Sequence, residues 1–275
     1  MALRPFCMKS ACDRRLPVRP MRAMLLAAGL LASGMGHDAH AVCAGGEPAG
    51  ARGVAAIDAR TFRLQDGSEV RLAGVESAGL RDDAHTAAAR DILDALVRGK
   101  ELAVYPAAKR DRYGRQVAFV FPVGGDVPLQ ARLLAQGVLA ATGSAVPRDC
   151  VNYLMQQEIQ ARLAKRGIWA DSDAIKSAEM PGDILAQMGR FVVVQGRVHS
   201  VRESGATIYV NFGRRWTRDF ALIVPKRLAA GFAAAGLELK SIENRIVRVR
   251  GFVEQRGGPR IEAFEPGQIE VVGGN

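Results

Sequence analysis

The chain reads as mainly β with helices attached: two small β-barrels in tandem, the second following the plan of the first. Three observations predict this. The order strand, strand, strand, helix, strand, strand occurs over residues 53–170 and again over 190–273. Within each block, short apolar runs are separated by glycine-bearing turns, the pattern of half-buried strands. Between the blocks, residues 171–189 are more polar and contain Pro181 and Gly182, the composition of a linker. Each block, with its appended helices, therefore matches an OB-type barrel.

Residues 1–41 stand apart from this plan. Arg14, Arg15, Arg19 and Arg22 precede an apolar run at 23–35, and Ala39-His40-Ala41 follows. That is the order of a secretory signal peptide, with cleavage expected after Ala41. The run is short for a bilayer span, a membrane anchor being the competing reading. The residues before Met21 add nothing the signal needs, and Val42 before Cys43 does not suit a lipoprotein acylation site. The expected product is exported, periplasmic or secreted, with no membrane span once the signal is removed.

Processing changes the charge and the cysteine count. Residues 1–41 carry six basic and two acidic side chains, so +6 of the chain's net +10 remains afterwards. A moderately basic body suits a polyanionic partner without requiring one. Cys7 and Cys12 leave with the signal, and Cys43 and Cys150 stay. An even count in an oxidising compartment predicts a disulfide between them, against two unrelated thiols. His85 and His199 are the histidines left, which argues against a His/Cys zinc site.

In order along the first block, residues 42–52 are a Gly/Ala-rich lead-in. Val54, Ile57, Phe62, Leu64, Val70, Leu72 and Val75 then follow a strand pattern, with a hairpin turn at Gln65-Asp66-Gly67-Ser68. Residues 82–97 have helical spacing on Ala87, Ile92, Leu93 and Leu96, and Gly99 stops the helix. Strands at 101–106 and 116–121 flank a polar loop, and helices fit 129–136 and 150–166. In the second block strands fit 191–202, 207–212, 220–224, 246–255 and 260–264, with a helix over 225–235. Gly205, Gly257-Gly258-Pro259 and Gly267 mark its turns.

Five ordered segments between about residues 53 and 170 resemble the staphylococcal nuclease (thermonuclease) family. Ile57-Asp58-Ala59-Arg60-Thr61 lies where that family has Asp-Gly-Asp-Thr, and Arg71-Leu72-Ala73-Gly74-Val75-Glu76-Ser77-Ala78-Gly79 where it has Arg-Leu-x-Gly-Ile-Asp-x-Pro-Glu. Asp111-Arg112-Tyr113-Gly114-Arg115 reproduces the family's loop unchanged. Leu133 to Leu139, and Glu158, Ala161, Gly167 and Trp169, resemble its closing segments. The resemblance implies an SNase-like OB barrel and a calcium-assisted phosphodiesterase. In that chemistry carboxylates hold the metal, a glutamate handles the attacking water, and two arginines clamp the phosphate. Guanidinium forks suit the clamp because their planar donors meet phosphate oxygens two at a time.

Carried across by position, Arg71 and Arg115 fall on the clamp arginines, and Glu76 and Asp58 on metal-side carboxylates. The second aspartate of the Asp-Gly-Asp-Thr motif is Arg60 here, and the base glutamate is Gly79. Exchanging Asp for Arg moves the local charge by about two units, which disfavours a divalent cation by several kcal/mol. Losing a general base lowers the rate roughly a hundred- to ten-thousand-fold. The expectation is little or no cleavage and no cofactor, with Ca2+ involved only if the family's site survives. Arg60, Arg71, Arg115 and Tyr113 are then an anion pocket, or else the arginines pair with Asp58, Glu76 and Asp111 and hold the barrel.

In the second block Tyr209, Phe212, Trp216 and Phe220 interleave with Arg214, Arg215 and Arg218. Aromatics beside arginines are what an OB surface uses on single strands. Alternation puts Ile208, Val210 and Phe212 on one face and Tyr209 opposite, leaving Trp216, Arg214 and Arg215 as the freer candidates. Three functions stay open: a module that holds nucleic acid or another polyanion; a phosphodiesterase rearranged around Glu76 with Asp82 or Asp83; and a structural envelope component.

Overall fold

The computed structural model describes residues 42–78, 83–144 and 147–273. The expected signal peptide, Gly79 and Asp82 lie outside them. No helix among the described residues is long and apolar enough to cross a membrane.

The first lobe is a closed barrel of β1 (Ala49–Ala56), β2 (Thr61–Leu64), β3 (Glu69–Leu72), β5 (Glu101–Pro106) and β6 (Gln116–Pro122), in the order β1-β2-β3-β6-β5. The pairings are antiparallel except β3 with β6, and β1 closes the ring on β5. Alternation puts Phe62, Leu72, Leu102, Phe119 and Phe121 inside, where each is almost fully buried. Helix α1 (Asp83–Val97) packs on β1 through Leu93 and Val97. A Cβ on Gly53 would lie 2.3 Å from the Val97 carbonyl oxygen, so only glycine lets strand and helix approach this closely. Helices α2 (Leu129–Ala135) and α3 (Arg148–Leu163) complete the lobe. Cys43 is bonded to Cys150, as expected, and ties the start of the described chain to α3.

A two-stranded ladder missing from the sequence reading lies beside the barrel. Strand β4 (Val75–Glu76) pairs with β7 (Ala140–Ala141), and Ala78 forms a bridge to Phe191 in the second lobe. Two-residue strands carry no periodicity of their own, so only tertiary packing places them.

The expected linker at 171–189 is corrected by the structure. Its residues form β8 (Ile175–Ser177), parallel to β9, and the short helix α4 (Pro181–Leu185). Ala178 and Ile184 enter the second core, and the buried Lys176 ammonium is paired with Asp173 at 2.6 Å. The stretch reads as polar because a few apolar side chains anchor it while the rest face solvent.

The second lobe has sheets ordered β10-β11-β12-β15-β14 and β16-β13-β9-β8. Its strands are β9 (Phe191–Arg197), β10 (Ser200–Ser204), β11 (Thr207–Asn211), β12 (Ala221–Pro225), β13 (Ile246–Phe252), β14 (Glu254–Arg256), β15 (Gly258–Glu262) and β16 (Ile269–Val272). Val198 and His199 separate β9 from β10, and Val253 separates β13 from β14. Followed through those breaks, they are two long bent strands, and β9 pairs with β13. The ring of pairings then has the first lobe's order, with β12 and β15 as its parallel pair. The second lobe thus shares the OB plan. Its helix is shorter than expected, a 3-10 turn at Lys226–Leu228 leading into α5 (Ala229–Ala234), which buries Phe232.

The lobes meet on Ala78, Ala140, Ala161, Trp169, Phe191 and Val193, one apolar cluster drawn from both. Glu158 of α3 and Arg250 of β13, both fully buried, bond at 2.9 Å beside it.

Candidate functional site

Three segments of the first lobe converge at one end of the barrel. The first is the β1–β2 turn. There the Asp58 carboxylate accepts the Arg60 backbone N–H at 2.8 Å, an Asx-type turn that presents the Arg60 side chain. The second is β3 with β4, which carry Arg71 and Glu76. The third is the β5–β6 loop. Asp111 organises it by accepting the backbone N–H groups of Tyr113 (2.9 Å) and Arg115 (3.1 Å), and Gly114 turns the chain at φ +78°.

The side chains form an alternating line of charge. Arg60 and Arg71 both donate to Glu76 Oε2, the latter at 3.2 Å. Arg71 also faces Asp111 Oδ2 at 3.7 Å, and Arg115 donates to that oxygen through Nε at 2.8 Å, with its Nη2 ion-paired to it at 2.7 Å. Three guanidiniums therefore alternate with two carboxylates. Glu76 is deepest, its side chain 6% exposed, while those of Arg60, Arg71 and Arg115 are 19%, 25% and 16% exposed. The anions lie underneath and the cations keep an edge toward solvent.

Burial governs the inner pair. It pushes the Glu76 carboxyl above the usual carboxylate range despite Arg60 and Arg71, and pulls Arg60 below the usual guanidinium value despite Glu76. Asp111 behaves oppositely. Burial would raise it, but the Arg115 side chain and the loop's backbone donors together hold it down at about 2.

Tyr113 is 64% exposed at the loop tip, with the Arg112 and Arg115 guanidinium carbons 4.8 Å and 4.9 Å from its ring centroid. These are cation–π contacts that hold the ring out toward solvent. The structure thus brings together Arg60, Arg71, Glu76, Tyr113 and Arg115. Asp58 stands beside them, with one oxygen committed to the turn.

The donor set does not fit a divalent cation. Calcium takes six to eight oxygens. Here Glu76 Oε2 meets two guanidiniums and Oε1 accepts the Ser77 N–H at 3.1 Å, while both Asp111 oxygens are bonded within its own loop. No group of three His, Cys, Asp or Glu side chains suited to a metal occurs among the described residues.

In the second lobe Trp216 is 74% exposed on the β11–β12 loop, beside exposed Arg214 and Arg215. Asp219 shapes this loop by accepting the Arg215 N–H at 2.8 Å. Tyr209 is exposed on β11, with Ile208 and Val210 buried on the other face, as alternation required. Phe220 does not belong to the surface set. It is buried, with its ring 5.0 Å from that of Phe212, because both close the core beneath the loop.

Reasoning from sequence missed the junction behind the site. Arg162 and Arg248 bond Glu270 at 3.0 Å and 2.9 Å, next to the Arg250–Glu158 pair. The signal available was two arginines at alternate positions of β13, opposite the buried Val247 and Val249. Such a face reads as solvated, yet the first lobe covers it.

The first lobe is thus a five-stranded OB barrel whose arginines and carboxylates converge at one end. Residues 69–171 match the family model described as staphylococcal nuclease homologue. The first lobe is a domain of that family, and the match takes in Arg71, Glu76 and the whole 111–115 loop. Asp58, Arg60 and the second lobe lie outside the matched residues.

Proposed function

We propose that this is an exported protein that binds nucleic acid, or another phosphate-bearing ligand, on a nuclease frame without efficient cleavage. One observation carries the reading. Glu76, the carboxylate at a family metal position, is occupied by Arg60 and Arg71. A carboxylate held between two guanidiniums has little to offer a cation, whereas the outer edges of the same arginines suit a phosphate. The line Arg60–Glu76–Arg71–Asp111–Arg115 has a formal excess of one positive charge, with Asp58 and Arg112 offsetting each other at its ends.

The Trp216 loop supports the same reading from the second lobe. An exposed indole beside arginines offers a π-face for a base and cations for its phosphates. The Cys43–Cys150 bond supports export, because such bonds persist in oxidising compartments.

The test uses the processed chain with denatured DNA. Retention that falls steeply with salt, since phosphate contacts release counterions, supports binding. Calcium-dependent cleavage that disappears in Arg71→Ala would overturn the non-cleaving reading and restore the enzyme. Absence of any salt-dependent retention would leave the structural envelope role as the better account.

A further inference from the structure

We propose that Arg250, in the second lobe, is a positioning residue for the arginine–carboxylate line of the first lobe, acting through strand β7. The proposal builds on the anion-binding reading above.

The connection is a continuous set of contacts. Arg250 Nη1 donates to the Ala141 carbonyl and to Glu158 Oε2, each at 2.9 Å. The same Glu158 oxygen accepts the Ala141 N–H at 2.7 Å. One buried ion pair, with one partner from each lobe, therefore grips both polar groups of a single backbone residue. Ala141 and Ala140 form β7, whose partners in β4 are Val75 and Glu76. The Thr142 N–H extends the ladder to the Gly74 carbonyl at 2.9 Å. Glu76 is the residue that holds both Arg60 and Arg71.

Geometry makes this a positioning contact rather than general adhesion. Ala140, Ala141, Glu158 and Arg250 are at most 1% exposed, so no solvent layer can absorb a shift. Strand β4 is only two residues long, with β7 as its ladder partner, and the Ala78–Phe191 bridge fastens the chain just beyond it to the second lobe. The segment bearing Glu76 is thus held on both sides by contacts that depend on the second lobe. Arg162 and Arg248 also meet Glu270 at this junction, and Arg162 Nε lies 3.6 Å from Glu158 Oε1, but neither bonds β7.

The experiment uses the full processed chain. A double variant, Arg250→Met with Glu158→Gln, removes both charges and strands neither. Arg250→Lys keeps the buried charge but ends one atom short of the Nη1 that meets Ala141 and Glu158 and lacks the Nη2 that meets Glu270, and it serves if the double variant fails to fold. Arg148→Gln, which loses the Arg148 bond to the Ala235 carbonyl of the second lobe, is the control for adhesion between lobes. Two readouts are taken on each: amide hydrogen exchange of Glu76 against that of Phe119 in the barrel, and calorimetric affinity for a nucleoside 3′,5′-bisphosphate.

In either Arg250 variant, the Glu76 amide is expected to exchange roughly tenfold faster relative to the Phe119 amide of the barrel, because β4 loses its fixed partner strand. Bisphosphate affinity is expected to fall roughly tenfold, within the range of couplings carried through packed networks. Arg148→Gln should move neither readout. The exchange decides: unchanged relative protection of Glu76 in a folded Arg250 variant, or an equal loss in Arg148→Gln, overturns the positioning role. If the parent chain itself ignores the bisphosphate, the anion-binding reading fails, and the exchange still answers for Arg250.

Discussion

Arg250 and Glu158, 92 residues apart in sequence, meet at 2.9 Å with neither side chain exposed, so the two lobes share one buried ion pair. Glu158 Oε1 and Arg250 Nε have no hydrogen-bond partner, although Arg162 Nε lies 3.6 Å from that oxygen and Arg250 Nη2 bonds Glu270 at 3.3 Å. Truncating Arg250 leaves the buried Glu158 charge with only its longer contact to Arg162. Arg250→Ala is therefore expected to destabilise the chain by about 3–5 kcal/mol. Denaturant unfolding of the two proteins under identical conditions measures this, and a loss below about 1 kcal/mol would show that the junction relaxes around the missing charge.

The two carboxylates of the site predict opposite pH dependences. Asp111 is depressed from 3.8 to about 2 in the fold. Its contribution to stability is present above 3.8 and is lost as pH falls toward about 2. Glu76 is raised above 4.5, so its contribution is present below that value and is lost as pH rises through its elevated folded-state value. Urea midpoints between pH 2 and 7 are expected to lose part of their acid-side slope in Asp111→Asn. In Glu76→Gln the decline with rising pH should flatten instead.

Neutralising Glu76 also separates the binding reading from the enzymatic one. Glu76→Gln removes the anion that competes with an incoming phosphate for Arg60 and Arg71. Removing one charge at contact distance, at intermediate dielectric and with partial screening, is expected to tighten bisphosphate binding by roughly tenfold. Calorimetry provides the number. Weaker binding would mean that Glu76 chiefly orients the arginines rather than occupying them.

Trp216 offers a test confined to the second lobe. Its side chain is largely exposed, so Trp216→Ala should leave stability within about 0.5 kcal/mol of the parent. Loss of one stacked base is expected to weaken single-strand binding by about 1–3 kcal/mol. Indole quenching in the parent on titration with oligonucleotide follows the same contact, and an unchanged affinity in the variant would remove this loop from the binding surface.

Much of the fold was legible because it rests on local rules. Alternation along β2, β3, β5 and β6 marks the barrel's inner face, Gly67 and Gly114 mark turns that need positive φ, and Gly99 stops α1. The Asp111-Arg112-Tyr113-Gly114-Arg115 loop was legible for the same reason, since its hydrogen bonds run between near neighbours. The segment at 171–189 was misread because sparse anchoring residues leave a polar average. Phe220 was misread because composition does not tell a core ring from a surface one.

The sequence by itself determined the five barrel strands of each lobe, the two cysteines available to pair, and which charged residues stand on the first lobe's loops and strand ends. Only the tertiary structure decided which charges are partners. Glu76 belongs to Arg60 and Arg71, and Glu158 belongs to Arg250, because the barrel's closure and the packing of one lobe on the other bring them within bonding distance. Periodicity sets which face a side chain takes. An ion pair also needs a distance and a shared burial, and those arise when segments far apart in the chain exclude water together.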